Sequence, residues 1–221
     1  MGTEVKFGRE TDEFYKLLNP NLFEKFESSP FFIEEKEGSG RAKIKIFPGL
    51  PGFVIRDLDA HMQTPNFLAC NRNSPVSSCA DHAVFLFDAE NRNWSLHIFE
   101  LKRSPDEDRW NKILCQLNGA MIRAYAIAGV MRIPEFYRVC LYCGYRNDMS
   151  ILDEDKSSPA NLKSKRVTQR IQNSTNFLID RFSLISYPKR PTKNHLIKLD
   201  DNGYAEIMLD RRGCVVVPRS T

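Results

Sequence analysis

The sequence predicts an α/β (α+β) fold: a central mixed β-sheet flanked by helices, with a β-rich C-terminal segment. Three observations predict it. Residues 82–87 (His-Ala-Val-Phe-Leu-Phe) and 94–101 are strand-forming runs separated by the turn chemistry Asp-Ala-Glu-Asn-Arg-Asn, which reads as a β-hairpin. Ser104-Pro105-Asp106-Glu107 then supplies an N-cap serine, a proline at the first helical position and a glutamate three residues after the serine, the start signature of a helix. Residues 136–142 (Phe-Tyr-Arg-Val-Cys-Leu-Tyr) follow as another β-forming run, giving the order β-β-α-β.

In chain order, Phe14, Leu17 and Leu18 and then Leu22, Phe23 and Phe26 fall at helical spacing around the break Asn19-Pro20, predicting two short helices over residues 10–29. Residues 38–78 carry Gly-Ser-Gly, Phe-Pro-Gly-Leu-Pro-Gly and several Asn and Pro. The alternating run 43–47 (Lys-Ile-Lys-Ile-Phe) interrupts them, so one strand and a long, partly irregular connection are expected. In the helix after the hairpin, Trp110, Ile113, Leu114, Leu117, Met121, Ala124, Tyr125 and Ala128 form one apolar stripe that ends at Gly129. Arg109, Lys112, Gln116 and Arg123 share a polar face read as lying opposite it. Residues 149–165 read as a solvated loop, 167–180 as a helix, and 182–187, 195–199, 204–209 and 214–217 as short strands. The chain divides into a core, 1–180, with its motifs in 77–145, and a β-rich extension, 181–221, assigned to the same domain.

The 221 residues, 42% of them hydrophobic, are enough to bury a core. With 32 Lys plus Arg against 28 Asp plus Glu, a nucleic-acid footprint has to come from local clustering of charge. No stretch reaches the roughly 18 consecutive apolar residues of a membrane span, and residues 1–10 lack a signal-peptide apolar region. A soluble cytoplasmic protein with reduced thiols and no membrane association is expected.

The chemistry concentrates at the hairpin. Glu-x-Lys occurs four times, at Glu4, Glu34, Glu100 and Glu154. Three of these lie in a terminus, a charged run and a polar loop, where solvated charge is the plain reading. Only Glu100-Leu101-Lys102 closes an apolar strand, Leu96-His97-Ile98-Phe99. Residues two apart on a strand project from one face, about 6.5 to 7 Å apart, so Glu100 and Lys102 enter one site. A cation of the Mg²⁺ type needs more than one carboxylate oxygen, and antiparallel pairing brings Asp81, at the start of the preceding strand, beside Glu100. A metal at such a site polarises a phosphate and acidifies a bound water, while a nearby ammonium stabilises the charge that develops.

The succession Cys79-Ala80-Asp81, hairpin, Glu100-Leu101-Lys102, long helix and strand resembles the core of the PD-(D/E)xK phosphodiesterase superfamily over about a third of the chain. That superfamily includes restriction enzymes and RecB-like and Holliday-junction nucleases. Ala80 stands where the family's name has proline. The resemblance implies a restriction-endonuclease-like fold and a divalent-metal-dependent endonuclease acting on nucleic acid, DNA ahead of RNA, in phage defence, CRISPR-linked or repair settings. It implies Asp81, Glu100 and the Leu101 carbonyl as ligands of Mg²⁺ or Mn²⁺, and Lys102 as the residue that positions or deprotonates the attacking water. It also implies Gln116 near the scissile phosphate, although the RecB-type Gln-x-x-x-Tyr is not met because Ala120 stands four residues on. A first-helix glutamate completes many such sites; Glu10, Glu13 and Glu24 are the candidates here.

Competing readings are few. Cys70, Cys79, Cys140 and Cys143 match a four-thiolate zinc site in number, but Cys140 and Cys143 should face opposite sides of a regular strand. His61, His82, His97 and His195 show no metal spacing, and P-loop, nucleophile-elbow and dinucleotide signatures are missing. The second function class is a catalytically inactive, nuclease-like module that binds nucleic acid or protein. The C-terminal strands are candidates for homo-oligomerisation.

Overall fold

A strand with apolar residues on both faces must be covered on both, and the hairpin strands are of this kind. The computed structural model describes residues 7, 9–16, 22–35, 42–56, 58, 79–102, 107–146 and 193–217. In chain order these form α1 (Arg9–Tyr15), β1 (Phe23–Phe26), β2 (Phe31–Glu35), β3 (Ala42–Pro48), β4 (Gly52–Ile55), β5 (His82–Asp88), β6 (Asn93–Lys102), α2 (Glu107–Val130), β7 (Phe136–Tyr145), β8 (Lys193–Lys198), β9 (Tyr204–Asp210) and β10 (Gly213–Val216). Six strands make one mixed sheet in the order β1-β4-β5-β6-β7-β8, and four make a second in the order β10-β9-β3-β2. The fold is mixed α+β.

The larger sheet lies between two layers. On one face α2, Phe7 and α1 cover Phe53, Phe85, Leu96, Ile98, Val139 and Leu141. On the other, the second sheet contributes Phe31, Ile33, Ile44, Ile46, Ile207 and Leu209 against Val84, Leu86, Phe99 and Tyr142. Alternate residues of each central strand therefore enter two different cores.

The hairpin forms as predicted, with His82 opposite Phe99 and Asp88 opposite Asn93. Asp88 Oδ1 accepts the Glu90 and Asn91 amides at 3.1 and 3.4 Å, and Arg92 takes a positive φ of 51° in the turn. β6 continues through α2 into β7, which lies parallel to it. α2 passes Gly129 and ends one residue later. Arg132, not a glycine, supplies the left-handed residue (φ 54°), and the Ile133 amide donates to Ala128 O at 2.8 Å. The predicted N-cap lies outside the described residues, as do the expected loop 149–165, helix 167–180 and strand 182–187. The last three expected strands appear as β8, beside β7, and as β9 and β10 in the second sheet.

Two expectations fail. Residues 22–26 are not a helix: β1 pairs antiparallel with β4. Phe23 enters one core and Phe26 the other, so a strand covered on both faces imitates helical spacing. The connection around 38–78 also holds β4, while β2 precedes it, both beyond the single strand expected. The four residues of β4 follow Pro48-Gly49 and begin within Pro51-Gly52, where Gly52 is required. A Cβ there would stand 1.9 Å from Phe85 O across the ladder.

The polar face of α2 is not opposite its buried stripe. At 100° per residue, Gln116 and Arg123 lie about 40° from Ala120 and Ile127, on the flank of the core. Arg123 is accordingly 8% exposed, Gln116 is half-buried and Lys112 is exposed. The Arg109 side chain lies outside the described residues. No described helix is long and apolar enough to cross a membrane.

Candidate functional site

Asp81 immediately precedes β5, and Glu100 and Lys102 close β6 on the face that carries α2. Antiparallel pairing of the two strands brings the acids to the same end of the sheet. Asp81 is 4% exposed and Glu100 0%, whereas the Lys102 side chain is 33% exposed. Lys102 Nζ forms an ion pair with Glu100 Oε1. Asp81 Oδ2 accepts the Leu101 amide at 2.8 Å. Leu101 turns its side chain into the core between the sheets, so only its backbone faces the acids.

Burial pushes the Asp81 carboxyl well above the ordinary carboxylate range, and the Glu100 charge pushes it further; the Leu101 N–H and the Lys102 ammonium oppose them. For Lys102, burial pulls down but the Glu100 charge and hydrogen bond outweigh it, so the ammonium holds its proton more tightly than usual. Cys143 lies beside Glu100 in the parallel register, and burial, then Glu100, raise its thiol out of the reactive range. Two buried carboxyl groups thus share one partly exposed ammonium. Such a pair of carboxylates requires either a proton or a further cation.

This donor set suits a hard divalent ion, which binds through one or two carboxylates and keeps most of its shell for water and phosphate oxygens. Among the described residues no group of three or more His, Cys, Asp and Glu side chains is arranged to hold a metal. Asp81 and Glu100 would be its side-chain holders.

Gln116 lies close by in a different posture. Its Nε2 donates to Cys79 O at 3.4 Å, and its main-chain oxygen accepts the Ala80 amide at 2.9 Å. Of the N-terminal glutamates, Glu13 is exposed on α1 and Glu24 is held by Arg56 at 2.6 Å across β1 and β4. The Glu10 side chain lies outside the described residues.

Sequence reasoning missed Glu35. It follows Phe31 and Ile33 on the inward side of β2, is half-buried, and its charge raises the proton affinity of both Asp81 and Lys102. The charged run around Glu34 is therefore not simply solvated. No local signal marks Glu35, because β2 reaches the site through sheet packing.

Cys140 and Cys143 enter opposite cores, Cys79 is a third free thiol, and Cys70 lies outside the described residues. His97 is enclosed between Ser95 Oγ at 3.0 Å and Tyr142 Oη at 2.9 Å, and Tyr142 stacks on His195. His82 is buried on the same side of the sheet; His61 lies outside the described residues. Compared with known proteins, the chain matches no family model, no curated protein and no solved structure.

Proposed function

We propose that the chain is a divalent-metal-dependent endonuclease of the PD-(D/E)xK kind, hydrolysing phosphodiester bonds of nucleic acid, DNA in preference to RNA. The observation that carries this reading is the burial of the Asp81 and Glu100 carboxyl groups beside one partly exposed ammonium, Lys102, at one end of a sheet. The strand order β4-β5-β6-β7 supports it, with two antiparallel pairings and then a parallel one bridged by α2. This is the mixed sheet with a crossover helix that the resemblance implies, and a restriction-endonuclease-like fold is part of the proposal.

Bound Mg²⁺ or Mn²⁺ would supply charge to a phosphoryl oxygen and acidify a water. Everything else falls to the chain. Glu100, without solvent exposure, is fixed in place by the sheet, and Asp81 is oriented by the Leu101 amide. Lys102 is the one member of the trio with substantial exposure, so its ammonium can turn from Glu100 toward a phosphate or the attacking water. Cytoplasmic defence or repair belongs to the same proposal and rests on the resemblance alone.

The test is cleavage of plasmid DNA, single-stranded DNA and RNA with Mg²⁺ or Mn²⁺ and with chelator. Cutting should require the ion and fall about 100-fold or more in Asp81→Asn and Glu100→Gln. If the wild type cuts nothing and binds no Mn²⁺, the enzymatic reading fails and the inactive binding module takes its place.

A further inference from the structure

We propose that Gln116 is a positioning residue: its two-point clasp on Cys79 and Ala80 sets the Asp81 carboxylate in place, and it is not a contact for the scissile phosphate. The assignment of a cation to Asp81 rests on the reading above; the clasp itself is visible without it.

Gln116 grips two consecutive residues of the segment entering β5. Its side-chain amide donates to Cys79 O at 3.4 Å, and its main-chain carbonyl accepts the Ala80 N–H at 2.9 Å. Both residues are buried, so solvent could not replace these bonds. Asp81 comes next. Its carbonyl accepts the Leu58 amide at 2.8 Å and its carboxylate accepts the Leu101 amide at 2.8 Å. The backbone on either side of this acid is thereby tied down, to α2 before it and to Leu58 after it. Gln116 is itself held by a helix whose Ile113, Leu117 and Ala120 are anchored in the core.

The clasp accounts for the departure from the motif at position 80. Proline has no amide hydrogen and could not donate to Gln116 O; alanine can. In this chain a hydrogen bond from Ala80 to the helix does what a rigid ring at that position would do by restricting the backbone. With one amide hydrogen on Cys79 O and its carbonyl oxygen shut away from solvent, the side chain faces protein, which separates it from the phosphate-contacting role.

The experiment compares full-length wild type, Gln116→Met, which keeps the length of the side chain and removes the donor, and Gln116→Asn, which keeps the amide but shortens its reach. Amide exchange is measured by NMR without metal, and Mn²⁺ affinity by calorimetry. In Gln116→Met the Leu101 amide, which reports on the Asp81 carboxylate, should exchange about 10-fold faster while Val84 and Leu96 stay unchanged, and Mn²⁺ should bind about 10-fold more weakly. Gln116→Asn should behave alike, and decides the matter if Gln116→Met does not fold. Unchanged Leu101 exchange in a folded variant overturns the proposal, whether or not Mn²⁺ affinity moves. Faster Leu101 exchange in a chain whose wild type takes no Mn²⁺ upholds the clasp and removes the metal reading instead.

Discussion

Glu100 and Lys102 divide the work of one ion pair between a fully buried acid and a partly exposed base. Their replacements should therefore separate binding from chemistry. Lys102→Met removes the cation that competes with a metal, so Mn²⁺ affinity should hold or rise in calorimetry while single-turnover cleavage falls about 100- to 1000-fold. Loss of metal binding in that variant would contradict the role given to the lysine. The buried histidines set a pH dependence of their own. Burial, with the charges of Arg138 and His195, lowers His97 to about 3; burial and Arg56 lower His82 to about 4. Both are neutral in the folded chain and titrate near 6.5 once unfolded. Their contribution is complete above that pH and is lost as pH falls toward 4 and 3, at on the order of 1 kcal/mol per pH unit for each histidine. Asp81 has the opposite sign: its raised proton affinity favours the folded state at low pH and ceases to do so as pH rises through its folded value. Urea midpoints should drop between pH 6.5 and 4.5, and His97→Gln should flatten the slope even though it forfeits the bonds to Ser95 and Tyr142.

At the scale of elements, β4 is the most exacting. Gly52→Ala would drive a methyl against Phe85 O, at 1.9 Å, and the Phe26 ring, at 2.9 Å, so β4 has to move off β5. Urea denaturation should show a loss of about 2 to 3 kcal/mol; an unchanged midpoint would mean that the pairing has slack. The hairpin and α2 could be read from sequence because their signals are local: turn residues between two apolar runs, and a proline-marked helix start ahead of a long stripe. β1 could not, because Phe23 and Phe26 serve two different cores. β4 was hidden by the prolines and glycines around it. Asp81, Glu100 and Lys102 were legible because hairpin pairing and two-residue alternation are enough to bring them together. Glu35 was not, since it depends on where a second sheet is laid. For Gln116, the engagement with Cys79 and Ala80 is a matter of helix docking, on which its sequence is silent.

At the scale of the molecule, neither sheet is complete without the C-terminal segment. β8 flanks β7, and β9 lies parallel to β3 with Lys43 opposite Tyr204 and Pro48 opposite Leu209. Ending the chain after Asp180 would strip three strands and expose Ile44, Ile46 and Tyr142, which the missing Ile197, Ile207 and Leu209 help to bury. Such a truncation should lose its cooperative thermal transition and aggregate in light scattering, so it cannot serve to ask whether these strands also join one copy to another. The β3–β9 pairing has a further consequence during synthesis. Residues 42–48 emerge early and find their parallel partner only after 204–209 have been made, so the sheet that carries Glu35 cannot close while the chain is still short. A nascent chain would already have its hairpin and its Asp81–Glu100 pair, yet the layer that closes over the other face of that sheet would be among the last parts to assemble.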